Sequence, residues 1–195
     1  MKELFAEYPV LESDRVLLRK LRAEDAEALQ SFMEEETVYP YLPKYLYERN
    51  YTDAEEVIAR VDEECFVPGK AILLAVCLQE EKTPLVGIAE IYHYEPGETK
   101  ASIGCRLREN VWGQGIATRV ARLLRDYLVK EIGLKTITAH IMQANTSSAK
   151  AARKVGFVCE YPNIYEDWGF SEPVLVDQYV FRQEWLARCE EEGVL

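Results

Sequence analysis

Hydrophobic and polar residues follow two different periods on either side of a pair of glycines in the second half of the chain. From Ala101 to Leu107 the apolar side chains occupy every second position, which is typical of a half-buried strand. From Val120 onward the apolar residues recur three and four positions apart, as on one buried face of a helix. Gly113 and Gly115 lie between these segments. The pattern therefore predicts a strand, a glycine turn and a helix in that order.

The same periodicities predict further strands and helices along the rest of the chain, and hence a single α/β domain over residues 1–195 with a mixed central sheet. Strands are predicted over residues 15–20, 71–78, 85–94, 100–107, 136–142, 157–165 and 174–181. Helices are predicted over residues 24–35, from Thr52 to Cys65, over 116–130, and as a short segment that ends at Gly156. Thr52 and Glu55 have the spacing of a capping box, which places the start of the second helix. Residues 71–78 are almost continuously apolar, so we expect a central strand there.

The glycine turn lies where a protein can bind phosphate with its own backbone. The first N–H groups of a helix lack intrahelical partners and the helix dipole favours an anion, so a pyrophosphate can bind there without a lysine. Gly113 and Gly115 allow close approach of such a ligand. Thr118 stands where a dinucleotide-binding motif has its third glycine, and no G-K-S/T follows for a nucleotide-hydrolysing loop. An ordinary tight turn is the alternative.

Composition narrows the choice of partner. The formal net charge of −11 opposes a nucleic-acid backbone and suits a cationic ligand. The acidic runs 34–36, 62–64 and 190–192 are expected to be solvated faces. No apolar run approaches the roughly 18 residues of a membrane span, and residues 1–7 lack the apolar core of a signal peptide. We therefore expect a cytoplasmic protein that binds neither nucleic acid nor membrane.

Cysteine and histidine usage gives no sign of a disulfide framework or a metal site. The 5 cysteines (Cys65, Cys77, Cys105, Cys159 and Cys189) are widely spaced, with no C-x-x-C pair. The 2 histidines, His93 and His140, stand alone in strand-like segments. Cys105 lies near the glycine turn, but no partner base is evident, so we expect a buried thiol and not a nucleophile.

Three segments carry a family resemblance, in family order, across about residues 14 to 182. The run from Trp112 to Ala117 resembles the acetyl-CoA pyrophosphate loop of the GNAT superfamily of N-acetyltransferases, although Trp112 replaces the usual Gln or Arg. The second segment is similar to the family's N-x-x-S, helix, G-F block. It consists of Asn145 to Ser148, the helix that follows, and Gly156-Phe157. Residues 15–26 are similar to the first strand and helix of the branch that resembles ribosomal-protein N-terminal acetyltransferases.

The resemblance implies a fold, a cosubstrate and an acceptor class. It implies a GNAT-like sheet of about seven strands flanked by four or five helices, with acetyl-CoA as cosubstrate and no metal. The acceptor is a primary amine, either a protein N-terminal α-amine or a small-molecule amine. A non-catalytic acyl-CoA sensor, a purely structural α/β protein and a homodimer stay open as alternatives. The aromatic loop 39–47 is either a wall of the acceptor site or a packed irregular loop.

The resemblance also assigns residues to roles. The expected cofactor-binding residues are Cys105, Arg106, Leu107, Trp112, Gly113, Gln114, Gly115, Ile116, Ala117, Thr118, Asn145 and Ser148. Similar enzymes hold the pantetheine arm and the oxyanion on the backbone of a splayed strand, here the strand that ends near 106–108. Asn145 either binds the cofactor arm or caps the following helix, or does both. Ser148 either donates to the leaving thiolate or is a first-turn serine without chemistry.

Glu90 is the first candidate for the base that takes the proton of the amine. On its strand Glu90 shares a face with Tyr92 and Tyr94, opposite Ile91 and His93. As in similar enzymes with a glutamate on this strand, it would relay a proton through water. An exposed or salt-bridged glutamate is the alternative. The unperturbed pKa of histidine suits a base better, but we expect His93 to be a hydrogen-bonded structural residue.

Overall fold

The computed structural model describes residues 2–80 and 84–186, which fold around one mixed sheet of eight strands. The strand order across the sheet is β1-β2-β3-β4-β5-β6-β8-β7. The strands are β1 (Leu11–Glu12), β2 (Val16–Lys20), β3 (Ala71–Leu78), β4 (Leu85–Glu95), β5 (Lys100–Leu107), β6 (Thr136–Met142), β7 (Val158–Glu166) and β8 (Val174–Arg182). All neighbouring strands are antiparallel except β5 and β6, which are parallel.

Four α-helices cover the sheet. They are α1 (Ala26–Met33), α2 (Ala54–Val61), α3 (Ile116–Asp126) and α4 (Thr146–Lys154). Helices α2 and α3 continue into π-helical turns at Asp62–Phe66 and Tyr127–Ile132. The predicted α/β fold is confirmed. The additional strand, β1, has 2 residues, too few for an alternating pattern to reveal.

The core is divided between the two faces of the sheet. Strand β3 is buried at every position, and its alternate side chains point to opposite faces. Ile72, Leu74 and Val76 belong to the cluster beneath α3 and α4, whereas Leu73 and Ala75 pack under α1 and α2. This two-sided burial explains the continuous apolar run of residues 71–78 and confirms the prediction of a central strand.

The beginning of α2 differs from the sequence prediction. The residue that caps the helix is Asp53, whose Oδ1 accepts a hydrogen bond of 2.7 Å from the backbone N–H of Glu55. Thr52 lies one residue further out, so the predicted capping box of Thr52 and Glu55 was wrong. Threonine and aspartate side chains are both common at the N-cap position of helices. The carboxylate of Asp53 is the one adjacent to the first helical residue, Ala54.

The end of α4 agrees with the prediction. Gly156 has a φ of 85°, and its N–H donates to the carbonyl of Arg153 at 3.0 Å. The N–H of Phe157 donates to the carbonyl of Ala152 at 3.1 Å. This pair of hydrogen bonds is the Schellman arrangement, which requires a left-handed residue that glycine adopts without steric cost.

The parallel strands β5 and β6 separate soon after they meet. They pair only at Lys100–Thr136, Ala101–Ile137 and Ser102–Thr138. Beyond Ser102, β5 remains paired with β4 as far as Leu107, and β6 remains paired with β8 as far as Met142. A wedge-shaped opening therefore lies in the middle of the sheet, and α3 and α4 begin beside it. None of the described helices is long and apolar enough to cross a bilayer.

The Schellman cap gives a stability prediction. Gly156→Ala places a Cβ on a residue with φ of 85°, and we expect the free energy of unfolding to fall by roughly 1–2 kcal/mol. Gly97→Ala is the matched control, because Gly97 has no positive φ and a Cβ built there meets no atom within 4 Å. Urea unfolding measures both. Equal stability of the two variants would contradict the role of the left-handed cap.

Candidate active site

A cavity of about 350 Å³ occupies the opening between β5 and β6. Gly104, Cys105 and Arg106 of β5 line one side, and Ala139, His140 and Ile141 of β6 line the other. Faces of α3 and α4, the loop from Tyr41 to Asn50, and residues of β4, β7 and the loop after β7 also line the cavity. The cavity thus exists because the two central strands stop pairing, which sequence periodicity does not reveal.

The glycine loop lies at the start of α3. Gly113 and Gly115 have φ values of 72° and 76°, and Gly115 is the N-cap residue of the helix. The first hydrogen bond of α3 runs from the N–H of Arg119 to the carbonyl of Gly115, so the N–H groups of residues 116–118 have no acceptor within the helix. A Cβ built on Gly115 would lie 3.0 Å from Nη1 of Arg119. The loop therefore offers a run of unpaired N–H donors that the dipole of α3 makes attractive to an anion.

Two contacts hold the segment before the glycines in place. The indole Nε1 of Trp112 donates to the carbonyl of Leu107 at 2.8 Å. Glu35, just after α1, accepts from Nη1 of Arg108 at 2.9 Å and from the backbone N–H of Glu109 at 3.0 Å. The expectation that acidic run 34–36 is only a solvated face was therefore wrong for Glu35, because its carboxylate ties α1 to the loop.

The second acidic run also has partners within the chain. Asp62 accepts from the hydroxyl of Tyr8 at 2.8 Å and contacts Nζ of Lys20. Glu64 accepts from the hydroxyl of Tyr51 at 2.8 Å. These carboxylates hold the π-helical turn after α2 and are not a free charged surface. The third run, 190–192, and Cys189 lie outside the described residues.

The backbone of β5 presents unpaired polar groups to the cavity. The N–H of Arg108 donates to the carbonyl of Val86 on β4. Because N–H groups alternate in direction along a strand, those of Cys105 and Leu107 point away from β4. Strand β6 no longer pairs there. Cys105 lines the cavity, so a ligand there can accept a hydrogen bond from its backbone N–H.

Asn145 and Ser148 come together at the start of α4. Oδ1 of Asn145 accepts a hydrogen bond of 3.1 Å from the backbone N–H of Ser148, which is a helix cap. Both residues also line the cavity. Within the described part of the chain, the Ser148 hydroxyl has no hydrogen-bond partner, so it is available to a ligand.

The remaining predicted cofactor residues divide by position. Cys105, Arg106 and Ala117 line the cavity, and Trp112, Gly113, Gln114 and Thr118 belong to the loop and first turn beside it. The side chains of Leu107 and Ile116 are buried in the core. Only the backbone of these two residues can reach a ligand.

Glu90 lines the cavity and is salt-bridged. Its Oε2 accepts a hydrogen bond of 3.1 Å from Nη1 of Arg106, and its side chain is 16% exposed. Arg106 also makes a two-point contact with the fully buried Glu48, with 2.7 Å between Nη2 and Oε2. Burial alone lowers the pKa of the Arg106 guanidinium, but the charges of Glu48 and Glu90 outweigh it and raise the pKa. Arg106 therefore stays charged and fixes Glu90 at the cavity wall.

His93 differs from the sequence expectation. It is exposed, lines the cavity, and has no hydrogen-bond partner among the residues that the structure describes, so the prediction of a hydrogen-bonded structural histidine was wrong. The cause is a break in the β4–β5 register between Tyr92 and Glu95. His93 has a φ of 48° there, and its ring packs edge-on against Tyr92. Tyr92 and His93 consequently both line the cavity, although strict alternation along a strand would place their side chains on opposite faces.

The Cys105 thiol is unsuited to attack a thioester. Burial raises its pKa to about 11, so the thiol stays protonated at neutral pH. The residues described in the structure contain no group of three or more His, Cys, Asp or Glu side chains that could hold a metal ion.

Sequence reasoning missed a second group of polar residues at the cavity. His140 of β6 contacts the carboxylate of Glu166 through Nδ1, and both residues line the cavity with Trp168. Nε1 of Trp168 donates to the other oxygen of Glu166 at 2.7 Å. These residues come from separate strands and a loop, and no local motif marks them. The aromatic residues of the predicted acceptor wall, including Tyr41 and Tyr45, line the same region.

The fold and the family match together define the class of this protein. Its mixed sheet opens between two parallel strands, with a glycine-rich helix start beside the opening. The sequence matches the family model described as "Acetyltransferase (GNAT) domain" over residues 15–158. The chain belongs to the GNAT acetyltransferase family and is an N-acetyltransferase.

Individual relatives agree with this assignment. The N-acetyltransferase p20 of Bacillus licheniformis is 25% identical over 173 residues, covering 88% of this chain and 93% of p20. RimL, a ribosomal L7/L12 α-N-protein acetyltransferase solved with coenzyme A, has a TM-score of 0.75 at 19% identity, with 89% of this chain and 98% of RimL covered. RimJ of Mycobacterium smegmatis, solved with a CoA-disulfide, has a TM-score of 0.76 at 20% identity, with 95% of this chain and 94% of RimJ covered.

The glycine loop gives the first prediction for the site. Gly115→Asp adds bulk 3.0 Å from Arg119 and a negative charge where the pyrophosphate is expected. We expect the Kd for acetyl-CoA to rise by at least about tenfold, since like charges and lost N–H contacts both disfavour the anion. Isothermal titration calorimetry measures it. Gly97→Asp carries the same charge change at an open turn and should bind normally. Unchanged affinity in Gly115→Asp would remove the phosphate-loop assignment.

Glu90 gives the second prediction. Glu90→Gln keeps the shape of the side chain but cannot take a proton, so we expect kcat at neutral pH to fall by roughly a hundredfold or more. The Kd for acetyl-CoA should stay close to that of the wild type. Glu95→Gln is the control on the same strand, because Glu95 pairs with Lys100 and does not line the cavity. A wild-type kcat in Glu90→Gln would exclude Glu90 as an obligatory base.

Proposed function

We propose that this protein transfers the acetyl group of acetyl-CoA to a primary amine, with a protein N-terminal α-amine as the first candidate acceptor. The observation that carries the proposal is the cavity between β5 and β6, which joins unpaired backbone donors to a wall of carboxylates and aromatic rings. The donors suit the anionic and carbonyl parts of acetyl-CoA. The carboxylates suit an ammonium.

Acetyl-CoA would lie across the opening. The pyrophosphate would accept hydrogen bonds from the N–H groups of residues 113–118. The pantetheine arm would follow β5, where the backbone groups of Cys105 and Leu107 have no partner strand. The thioester would then lie near Ser148, whose hydroxyl lines the cavity. RimL and RimJ share this fold and were solved with coenzyme A and a CoA-disulfide, which supports coenzyme A as the type of ligand.

The chemistry is direct attack of the amine on the thioester. The ammonium first loses a proton, and Glu90 would take it through water. The amine nitrogen then attacks the carbonyl carbon, so that a C–N bond and an oxyanion form, and the C–S bond breaks as the carbonyl re-forms. The nitrogen loses a second proton, the thiolate takes one proton from Ser148 or from water, and one proton in total leaves to solvent. The N–H of Cys105 would stabilise the oxyanion, and the cavity walls would align the two reactants.

The character of the acceptor side supports an amine. Among the described residues that line the cavity, Arg106 is the sole Arg or Lys, and Glu48 and Glu90 already neutralise its charge. Glu166 adds a further carboxylate. RimL acts on a protein α-amine, which favours that acceptor here, and a small-molecule amine is the second candidate. All the groups that the proposed reaction uses come from one chain, so the proposal does not require a homodimer. We propose that the protein acts in the cytoplasm.

A thiol-release assay tests the function. Acetyl-CoA is incubated with N-terminal peptides, polyamines, amino acids and aminoglycosides, and the free thiol of CoA is measured. We expect release that depends on one class of amine, together with a rise in melting temperature on adding CoA. Stabilisation by CoA without release from any amine would favour a non-catalytic acyl-CoA sensor. No stabilisation and no release would contradict the proposal.

A further inference from the structure

His140, which lines the cavity, forms a pair with Gln178. They stand directly opposite each other in the antiparallel register of β6 and β8. Nε2 of His140 lies 2.7 Å from Nε2 of Gln178. An amide nitrogen is only a donor, so the ring nitrogen must accept, and the proton of a neutral imidazole is then on Nδ1. Gln178 therefore determines the tautomer of His140.

The protonated Nδ1 faces Glu166. The Nδ1–H donates to Oε1 of Glu166, and Trp168 Nε1–H donates to Oε2. In the reverse orientation of the Gln178 amide, its oxygen would face Nε2, and Nε2 would carry the proton. Nδ1 and the carboxylate of Glu166 would then both be acceptors unless the imidazole carried a second proton or the carboxylate were protonated. With the amide as described, both donors to Glu166 are neutral. They fix its position and leave its negative charge without a compensating cation.

Glu166 and Glu90 therefore differ, although both line the cavity. Glu90 is matched by the buried guanidinium of Arg106, whereas Glu166 contacts the imidazole of His140 and the indole of Trp168. Tyr92 lines the same cavity as these two glutamates. Burial first, and then the negative charges of Glu90 and Glu166, raise the pKa of its hydroxyl. The carboxylate of Glu166 is the charged group of this wall that still lacks a cation within the described chain.

We propose that Glu166 is the site where the ammonium of the acceptor binds, and that His140 and Gln178 are positioning residues that hold this carboxylate ready. The inference rests on the proposed function and adds the location and the chemistry of acceptor recognition. The ammonium completes the hydrogen bonds of Glu166 before Glu90 takes its proton. Because no Arg or Lys among the described residues of the cavity is free to receive a carboxylate, the acceptor is an amine without a neighbouring carboxylate. An N-terminal peptide or an alkyl amine fits this class, and a free α-amino acid does not.

The imidazole tautomer is tested without turnover. The chain has 2 histidines, so ¹⁵N-correlated imidazole spectra of tag-free protein contain two ring systems, and His93→Asn assigns them. We expect His140 in the Nδ1–H form in the wild type. Gln178→Glu places an acceptor at Nε2, and we expect an imidazolium there. A wild-type His140 that is protonated on Nε2, singly or as imidazolium, would overturn the role assigned to Gln178.

Acceptor binding is tested by steady-state kinetics, with the Kd for acetyl-CoA and the melting temperature measured for every variant. His140→Leu removes the donor to Glu166, and we expect the KM for the amine to rise by about tenfold or more. His140→Asn places an amide N–H near the position of Nδ1 and should restore much of this loss. Gln178→Glu should raise the KM similarly, because the imidazolium compensates the charge of Glu166. Gln183→Glu adds the same charge at an exposed position and is the control.

The outcomes separate the positioning role from a structural role and from the function itself. A raised amine KM in His140→Leu and Gln178→Glu, with unchanged acetyl-CoA affinity and recovery in His140→Asn, supports the proposal. Wild-type KM values in both variants, or an equal defect in His140→Asn and His140→Leu, would overturn it. If His140→Leu does not fold, Gln178→Glu decides. If the wild type releases no CoA with any amine, the proposed function fails. Calorimetry then measures amine binding to the CoA complex of the wild type and of Glu166→Gln. Loss of binding in Glu166→Gln would show that Glu166 receives the ammonium, and unchanged binding would show that it does not.

Discussion

The separation of β5 and β6 after three paired positions is the constraint on which the rest of the structure depends. Buried backbone N–H and C=O groups need partners, so a central pair of strands that stops pairing leaves groups for something else to satisfy. Each strand keeps its other neighbour, which holds the opening rigid on both sides. The helices α3 and α4 begin beside the opening, and α3 brings N–H groups without intrahelical partners to its rim. A long substrate with carbonyls and phosphates supplies acceptors that the fold itself lacks there.

Charge is distributed unevenly around this opening. Arg106 is buried between Glu48 and Glu90, and removing a single member would leave an uncompensated buried charge. This group fixes the position of Glu90 and links the loop before α2 to the floor of the cavity. Glu166, in contrast, is held by the imidazole of His140 and the indole of Trp168. Two carboxylates with different partners thus suit two tasks, one in proton transfer and one in binding of the cation.

The sequence predicted the elements well because their signals are local. The alternation of β5, the amphipathic pattern of α3 and the glycines at 113, 115 and 156 each depend on near neighbours in the chain. One local signal was misassigned, because the start of α2 was given to Thr52 when the adjacent Asp53 caps the helix. Elsewhere the prediction failed where position depends on residues distant in the chain, since a break in the register of β4 and β5 brings His93 to the cavity. Arg106 with Glu48, and His140 with Glu166 and Gln178, are brought together only by the tertiary fold, so no sequence spacing marks them.

Backbone amide spectra recorded during a titration with coenzyme A test most directly whether the opening between β5 and β6 is the substrate site. Unpaired N–H groups that gain an acceptor shift strongly. We expect the largest shifts at residues 113–118 and at Cys105 and Leu107, with small changes on β1 and β2 at the far edge of the sheet. Binding of coenzyme A with its largest shifts outside the glycine loop and β5 would contradict this location.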